Sequence, residues 1–370
     1  MIRRPPRSTP SNSSAASDVY KRQDIKVRPK QQEGKEVSEE GQGKTLMLYR
    51  DSGVDIERAD DVKKKIAQLV KSTFNKNTLT EIGAFGGAFK FGDKILVSST
   101  DGIGTKVILA RMMNEFEGLG HDIVNHCVDD ILTLGALPLF FLDYYAGHTI
   151  DNRVLLPFIK GATDACRENG VVLIGGETAQ LPDLYKEGDF DIAGFIVGYV
   201  EGRIIDGKGI KSGDKVYGLP SSGLHTNGYT LARKVCFEIK GFTPDTYIQE
   251  LEESIGEALL KPHVSYLKFI KPHISKIKGL AHITGGGFEG NISRVLPEDV
   301  DCVIDTGTWE VPVLFKLLQE WGDIPDREMY RTFNMGIGMV VIGHRVEGSI
   351  EIGEIVEGKG RVKLEGLRDS

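Results

Sequence analysis

The sequence predicts an α/β or α+β protein that is made of two layered domains. Short apolar segments typical of strands alternate with segments of helical periodicity along most of the 370 residues. A polar, glycine-dense stretch near residues 204–214 divides this pattern into two sets, and the chain is too long for one small core. Glycine-rich loops follow strand segments in both sets, at positions where ligands collect in open sheets.

In the first set, apolar and alternating runs predict strands, and apolar residues at helical spacing predict helices. The predicted strands are 95–98, 139–145, 171–174 and 192–200, and the predicted helices are 55–74, 122–134 and 154–168. The earliest helix is indicated by one apolar face that carries Ile66, Leu69 and Val70. Residues 82–91 are rich in glycine and phenylalanine and are predicted to form a loop.

The second set predicts strands at 215–219, 281–284 and 339–342, and helices that end near 237 and span about 266–277. Only a short segment separates strand 339–342 from the strand-like run 350–356. A parallel crossover normally needs a dozen or more residues, usually with a helix. We therefore expect an antiparallel hairpin here, or an apolar sheet face left exposed where a helix would pack.

These patterns divide the chain into three predicted segments. Residues 1–46 lack apolar periodicity and are predicted to be a disordered or artefactual extension. Residues 47–210 are predicted to form an N-terminal domain, and residues 211–370 a C-terminal domain. The stretch 41–45 imitates a phosphate-binding loop, but the required earlier glycine is Ser38 and no strand precedes it.

Composition argues against several classes of protein. The formal net charge of -7 argues against a general nucleic-acid or anionic-membrane surface. No apolar run is long enough to span a membrane. The four cysteines lie far apart without a CxxC pair, so we predict buried thiols of a reducing cytoplasm rather than a disulfide framework or a zinc site.

The stretch 98–106 reads SSTDGIGTK and directly follows an apolar strand segment. Glycines after a strand let the backbone approach phosphate oxygens, which the following amides can bind. Asp101 can hold Mg²⁺, which usually keeps several waters and bridges to substrate phosphates. An ordinary turn with a capping aspartate explains the same residues equally well, so this motif alone leaves both interpretations open.

Two further motifs carry carboxylates. Asp129 and Asp130 are adjacent on a predicted helix with apolar neighbours, and only one of them can readily face the apolar stripe. We favour a solvated helix edge for Asp129. Glu177 lies in Gly-Gly-Glu-Thr after the apolar run 171–174, again at a predicted strand end. Three such carboxylates in one domain favour a metal–phosphate site over chance turns.

Glycine-rich loops of the second set carry further candidates. His225 lies in SSGLHTNGY, and its polar setting suits an acid–base or phosphate-contacting role, although a lone histidine is usually structural. Residues 285–290 match GxGxxG formally, but no acidic residue at dinucleotide spacing completes that unit, which favours a phosphate or ribose-phosphate cradle. Arg294 can clamp the same phosphate or form a surface ion pair.

Together these motifs closely resemble the phosphoribosylformylglycinamidine cyclo-ligases, or AIR synthetases, of purine biosynthesis. The matching stretches are, in order, STDGIGTK, CVDDI, FFLDYYA, GGETAQLP, AGFIVGYVE, SSGLHTNGY, HITGGGF and EMYRTFNMGIGM. The resemblance implies a two-domain AIR-synthetase-like architecture, each domain a mixed sheet with packed helices, and a homodimer formed through sheets of the first domain. It also implies ATP- and Mg²⁺-dependent closure of formylglycinamidine ribonucleotide to 5-aminoimidazole ribonucleotide, with release of ADP and phosphate.

The resemblance also implies roles for individual residues. The N-terminal domain is expected to bind ATP and the C-terminal domain the substrate, with Asp101 and Asp130 as metal ligands. The expected catalytic residues are Asp101, Asp130, Glu177 and His225. The expected nucleotide-binding residues are Gly83, Gly86, Gly87, Thr100, Gly102, Gly104, Thr105 and Lys106. The expected substrate-binding residues are Ser222, Gly223, His225, Thr226, Asn227, Gly285, Gly286 and Gly287.

Some positions depart from the family pattern. Asp129 stands where the family has asparagine, Ala67 where it has lysine, and Gln180 where it has glutamate. These departures motivate an alternative of another class, a non-catalytic nucleotide-binding protein that holds ATP without substrate-dependent release of ADP. Three other enzymes share the architecture: formylglycinamidine synthetase, selenophosphate synthetase and thiamine-phosphate kinase. Formylglycinamidine synthetase is normally far longer or has partners, and selenophosphate synthetase usually carries a reactive N-terminal Cys or selenocysteine. Neither trait is seen in this sequence.

Overall fold

The structure is a computed structural model, and it describes residues 65–368. The predicted extension 1–46, the imitation phosphate loop and the first part of predicted helix 55–74 lie outside the described residues. Residues 65–71 of that helix are helical. Their apolar face does not pack as the pattern suggested, because Ile66 and Leu69 are exposed.

The first sheet has five strands in the order β1-β2-β5-β3-β4. The strands are β1 (Gly87–Phe91), β2 (Lys94–Gly102), β3 (Ala136–Gly147), β4 (Val172–Gln180) and β5 (Phe190–Val200). Only β3 and β4 run parallel; the other neighbours are antiparallel. The loop predicted at 82–91 is therefore wrong for β1, which forms a hairpin with β2 through a turn that Gly92 permits at a φ of 64°.

Three helices accompany this sheet: α1 (Lys106–Met113), α2 (Glu117–Leu132) and α3 (Asn152–Asn169). The Asp151 side chain caps the start of α3, and Gly170 in the left-handed region ends it. Helix α2 is buried at every position from Leu119 to Leu132 except His121. A helix buried on all sides must be covered by more than one layer, so its polar side chains face protein groups and not solvent.

Helices α2 and α3 approach closely because both carry glycine at the contact. A Cβ added at Gly161 would overlap the Glu117 carbonyl oxygen. We expect Gly161→Ala to lower the free energy of unfolding by about 3 kcal/mol, measured by urea denaturation, because the helices must separate. Gly290→Ala is the control, since that helical glycine has nothing within 4 Å, and it should be neutral or slightly stabilising. Similar losses in both variants would contradict this close approach.

The second sheet has six strands in the order β13-β10-β12-β6-β11-β9. They are β6 (Lys215–Pro220), β9 (Gly279–His282), β10 (Val300–Asp305), β11 (Ile337–Ile342), β12 (Ile350–Glu357) and β13 (Val362–Glu365); β7 (Tyr247–Ile248) and β8 (Glu253–Ser254) form a separate ribbon. The helices are α4 (Tyr229–Arg233), α5 (Ile255–Leu260), α6 (Leu267–Ile270), α7 (Gly287–Ile292), α8 (Val313–Gly322) and α9 (Asp326–Thr332). A π-helical segment, Lys234–Ile239, continues α4.

The connection between β11 and β12 corrects the expectation stated above. Both strands pair antiparallel with β6, one on each side of it, so they do not form a hairpin with each other. As expected, residues 343–349 contain no helix. The exposed-face alternative is also wrong, because Met339 and Val341 are buried in one apolar cluster with Tyr266 and Ile270.

Two apolar cores result. One lies within the second sheet and its helices, and the other joins the first sheet and α2 to the opposite face of β9 and β11. The four cysteines are buried and unpaired, as predicted. Because α2 lies between both sheets, its polar residues meet loops of the second half of the chain.

Candidate active site

The buried polar side chains of helix α2 include His126, Asp129 and Asp130, which contact Thr226, Tyr266 and His282 of the second half of the chain. Adjacent helical residues point about 100° apart, so the two aspartates face different partners. Asp130 faces β2 and His282, whereas Asp129 accepts a hydrogen bond from the Tyr266 N–H at 2.9 Å. The solvated edge predicted for Asp129 is wrong, because the segment that includes Tyr266 covers that side of α2 and leaves Asp129 0% exposed.

His126 lies between two carboxylates. Its Nε2 is 2.8 Å from Asp101 Oδ2 and 3.9 Å from Asp130 Oδ2. Burial lowers the pKa of the His126 ring, but the carboxylates outweigh it and raise the pKa to about 9. Burial raises the pKa of Asp101, and the attraction of His126 more than reverses this, so its net pKa is lowered. At neutral pH the site therefore places an imidazolium between two carboxylates.

The position of Asp130 is set by two neighbours. The Ser99 hydroxyl lies 3.0 Å from both Asp130 Oδ2 and the Phe85 carbonyl, and it donates to one of them at a time. His282 Nδ1 lies 2.9 Å from Asp130 Oδ1. These contacts connect the carboxylate to the glycine segment before β1 and to the end of β9. Asp101 is more open, with its side chain 45% exposed.

A chain of buried imidazoles continues from His282. Its Nε2 lies 3.1 Å from His263 Nε2, and the His263 ring stacks on the His225 ring with centroids 3.9 Å apart. Burial lowers the pKa of all three rings, so they are neutral at pH 7. His225 Nε2 accepts the Ser222 N–H, and its backbone has a φ of 62°, a left-handed conformation that is uncommon for histidine. The structure does not present the His225 ring to solvent.

Lys106 and Asp122 form a second buried polar group. Neither side chain is exposed, and Lys106 Nζ lies 2.8 Å from Asp122 Oδ1. The ammonium also donates to the Lys261 and His225 carbonyls, at 2.9 and 3.3 Å. Burial lowers the pKa of Lys106, and the attraction of Asp122 opposes that shift. The prediction that Lys106 binds a nucleotide phosphate finds no support in this arrangement, because its three donor positions are used within the protein.

The predicted nucleotide-binding glycines border a cleft. This cleft has a volume of about 440 Å³ and lies between the segment before β1 and strands β1, β2 and β5. Its lining includes Gly83, Gly86, Gly87, Thr100 and Phe195. The remaining predicted residues, Gly102, Gly104 and Thr105, lead from the end of β2 into α1. The cleft reaches the carboxylates through Ser99, which lines it and whose hydroxyl lies 3.0 Å from Asp130 Oδ2.

Glu177 lies elsewhere. Strand pairing places one residue from each of four strands in a row across the first sheet. The row consists of Asp101 in β2, Gly194 in β5, Asp143 in β3 and Gly176 in β4. A Cβ at Gly194 would lie 2.8 Å from Cγ1 of Ile123 in α2, so this row faces α2. Glu177 follows Gly176 in the strand and points to the other face, three strands from Asp101. The structure therefore groups two of the three predicted carboxylates.

The two loops predicted to bind substrate are neighbours. Asn227 Oδ1 lies 3.2 Å from the place that a Gly285 Cβ would occupy, and Gly286 and Gly287 both have positive φ. Thr226 Oγ1 lies 2.6 Å from His126 Nδ1, which joins this region to the carboxylates. Ser222 and Gly223 stand at the start of the first loop, where the Ser222 hydroxyl donates to the Pro262 carbonyl. The Arg294 guanidinium lies 4.7 Å from the Phe85 ring centroid, and its Nε donates to the Gly290 carbonyl.

Sequence reasoning missed three residues of this site: His126, His263 and His282. One signal was available for His126, because it precedes Asp130 by four residues on a helix, and that spacing places both on one face. His263 follows a proline and His282 follows an alanine, and neither neighbour indicates a functional site. Only the packing of the second half of the chain on α2 brings His282 to Asp130 and His263 to Asp129.

Comparisons with known proteins agree with this fold. Residues 84–200 match the N-terminal domain, and residues 211–363 the C-terminal domain, of AIR synthase related proteins. The chain belongs to the AIR synthase related family.

Individual curated relatives carry a more specific name than the family does. A phosphoribosylformylglycinamidine cyclo-ligase from Thermoanaerobacter sp. (strain X514) is 47% identical over 336 residues, which cover 86% of this chain and all of the relative. An enzyme of the same name from Thermodesulfovibrio yellowstonii is 48% identical over 304 residues, or 80% of this chain and 89% of the relative. The resemblance inferred from the motifs is thereby confirmed.

Solved structures share the fold. A thiamine monophosphate kinase from Aquifex aeolicus superposes with a TM-score of 0.57 at 18% identity, over 87% of this chain and 99% of that chain. The hydrogenase maturation protein HypE in complex with ATP gives a TM-score of 0.53 at 16% identity, over 88% and 98% of the two chains. These likenesses confirm the predicted fold class. No helix among residues 65–368 is long and apolar enough to cross a membrane.

Proposed function

We propose that this chain closes the imidazole ring of 5-aminoimidazole ribonucleotide from formylglycinamidine ribonucleotide, with ATP converted to ADP and phosphate in the cytoplasm. The main support is its identity of 47% to a phosphoribosylformylglycinamidine cyclo-ligase over that enzyme's whole length. The site agrees, because a glycine-lined cleft, a pair of carboxylates and a second glycine loop meet in one region. We assign ATP binding to residues 47–210 and substrate binding to residues 211–370.

The donors of the site fit Mg²⁺. Asp101 and Asp130 supply carboxylate oxygens, which are the ligands that this hard cation prefers, and the exposure of Asp101 leaves room for the waters it keeps. Mg²⁺ would neutralise phosphate charge during phosphoryl transfer. Before a cation binds, the His126 imidazolium balances part of the carboxylate charge, and the Ser99 hydroxyl and His282 ring hold Asp130 in place.

The chain's other residues would position the reactants. In the reaction implied by the family, ATP phosphorylates the formyl amide oxygen, and an amidine nitrogen then closes the ring. The glycines of the cleft let backbone amides approach the ATP phosphates. Asn227 and the 285–287 loop would hold the ribose phosphate of the substrate. Roles for Glu177 and His225 remain predictions.

The test is a reaction with purified chain, formylglycinamidine ribonucleotide, ATP and Mg²⁺. We expect ADP and 5-aminoimidazole ribonucleotide to appear in equal amounts, and no ADP above background without the substrate. Thiamine monophosphate is the control substrate and should give no ADP, although kinases that use it share the fold. ATP binding without substrate-dependent ADP formation would contradict the proposal and favour the non-catalytic binding protein.

We also propose a homodimer that forms through the outer face of the first sheet. This is the face opposite to α2, and outside the nucleotide cleft it exposes Tyr144 and Val172. Exposed apolar patches of this kind mark interaction surfaces in soluble proteins. A second copy is the preferred occupant because the family resemblance implies dimerisation through these sheets.

Val172→Glu should shift the dimer toward monomer in light scattering coupled to gel filtration. Burying an unpaired carboxylate in the interface should raise the dimer dissociation constant by about tenfold or more. Leu156→Glu is the matched control, since Leu156 is equally exposed but lies on α3, on the other side of the sheet. A monomeric wild type, or equal disruption by Leu156→Glu, would show that this face is not the interface.

A further inference from the structure

Phe85 connects the two halves of the chain at the nucleotide cleft. Residues 81–84 before it are exposed, whereas Phe85 is only 9% exposed and its ring packs in the apolar core of the second sheet. Its backbone belongs to the segment 82–88, which lines the cleft. The Phe85 ring therefore anchors the glycine segment of the first half in the second half of the chain.

The segment is held unevenly along its length. The Phe85 carbonyl lies 3.0 Å from the Ser99 hydroxyl, and a Cβ added at Gly86 would lie 3.1 Å from the Ser98 carbonyl oxygen. Earlier in the segment, Gly83 has a φ of 107°, and a Cβ there would meet no atom of residues 65–368 within 4 Å. The fixed part of the segment therefore begins at Phe85.

A cation lies over the Phe85 ring. The Arg294 guanidinium is 4.7 Å from the ring centroid, and its Nε donates to the Gly290 carbonyl at 3.1 Å. Gly290 lies in α7, the helix that begins at the end of the 285–287 loop. A guanidinium within about 6 Å of a ring centroid is attracted by the ring. Arg294 therefore links α7 to the segment that lines the nucleotide cleft.

We infer that Arg294 is a positioning residue for ATP, although it stands beside the loop to which we assign the substrate. It acts through the Phe85 ring, which holds the backbone amides of segment 82–88 where they can donate to ATP phosphates. A segment that is ordered beforehand loses less freedom on binding, so ATP binds more tightly. The inference rests on the proposed ATP site. It differs from a phosphate clamp, in which the guanidinium would bind the substrate itself.

The test measures two ligands separately on the full chain. Calorimetry gives the dissociation constant of the non-hydrolysable ATP analogue adenylyl imidodiphosphate with Mg²⁺, and initial rates give KM for ATP and for formylglycinamidine ribonucleotide. Arg294→Met removes the cation and keeps an unbranched side chain. It should raise the analogue's dissociation constant and KM for ATP by about three- to tenfold, the range of a cation–π contact. KM for formylglycinamidine ribonucleotide should change by less than about twofold.

Three further variants show whether Arg294 acts through the ring. Arg294→Lys keeps a cation and should bind the analogue more tightly than Arg294→Met does. Phe85→Leu should weaken analogue binding by itself, and adding Arg294→Met to it should cost less than about twofold more, because both changes remove one contact. Arg327→Met is the matched control, since Arg327 is 81% exposed on the neighbouring helix α9, and it should leave both KM values unchanged.

Two results would overturn the inference alone. One is a raised KM for formylglycinamidine ribonucleotide with unchanged analogue affinity in Arg294→Met, which would make Arg294 a substrate clamp. The other is full additivity of Arg294→Met and Phe85→Leu. Wild type that binds the analogue but forms no 5-aminoimidazole ribonucleotide would contradict the proposed function, and the loss of analogue affinity in Arg294→Met would still support the positioning role. Wild type that binds no nucleotide would overturn both.

Discussion

Asp130→Asn is expected to lower Mg²⁺-dependent formation of ADP and 5-aminoimidazole ribonucleotide by about 100-fold or more. The change removes an anionic oxygen from the proposed ion site while it keeps the shape of the side chain. The remaining amide binds a hard cation much more weakly than a carboxylate does. The measurement is initial rate against Mg²⁺ concentration, where the loss should be smaller at high Mg²⁺.

Asp129→Asn is the matched comparison, since it makes the same chemical change one residue away. The amide oxygen can still accept the Tyr266 N–H that Asp129 Oδ1 accepts at 2.9 Å. Turnover should therefore fall by less than about tenfold, the cost of weakening one hydrogen bond. If Asp129→Asn proves the more damaging of the two, our assignment of the Mg²⁺ ligand is wrong.

Lys106→Met should lower the free energy of unfolding by about 3–5 kcal/mol, because it leaves the buried Asp122 carboxyl group without its partner. The same change removes two hydrogen bonds to carbonyls of the second half of the chain, at Lys261 and His225. Urea denaturation at neutral pH measures the loss.

Two variants control for this expectation. Adding Asp122→Asn to Lys106→Met removes the lone charge and keeps an acceptor for the His263 N–H, so part of the stability should return. Lys160→Met breaks an exposed pair with Glu117 and should leave the free energy of unfolding nearly unchanged. A double variant that is no more stable than Lys106→Met would rule out charge burial as the cause.

Patterned stretches allowed much of the fold to be predicted. Strands β3 and β5 were found within a few residues, because their alternation matches a sheet with one covered face. Strand β1 was missed, since glycine and phenylalanine there suggested a loop. The strands also continue through Asp101 and Glu177, so these carboxylates extend from strands and not from the loops that follow them.

The site was predicted less completely for a physical reason. Helical spacing gives the directions of Asp129 and Asp130 relative to each other, but not the layers that cover them. His263 and His282 are 137 and 156 positions from His126 in the chain, and no local pattern relates them. Their meeting depends on how the second sheet packs on α2, which is a tertiary property.

The place of β6 in the second sheet has a consequence for synthesis of the protein. Its two neighbours, β11 and β12, begin at Ile337 and Ile350, whereas β6 is finished at Pro220. At about 5–20 residues per second, a ribosome needs roughly 6–25 s to make the intervening chain. The first sheet needs nothing beyond Val200 and can form during that time. The nascent chain therefore carries a paired first sheet, whose helix α2 is not yet covered by β9 and β11, together with the unpaired strand β6. Chaperones that bind extended apolar segments can act in this interval.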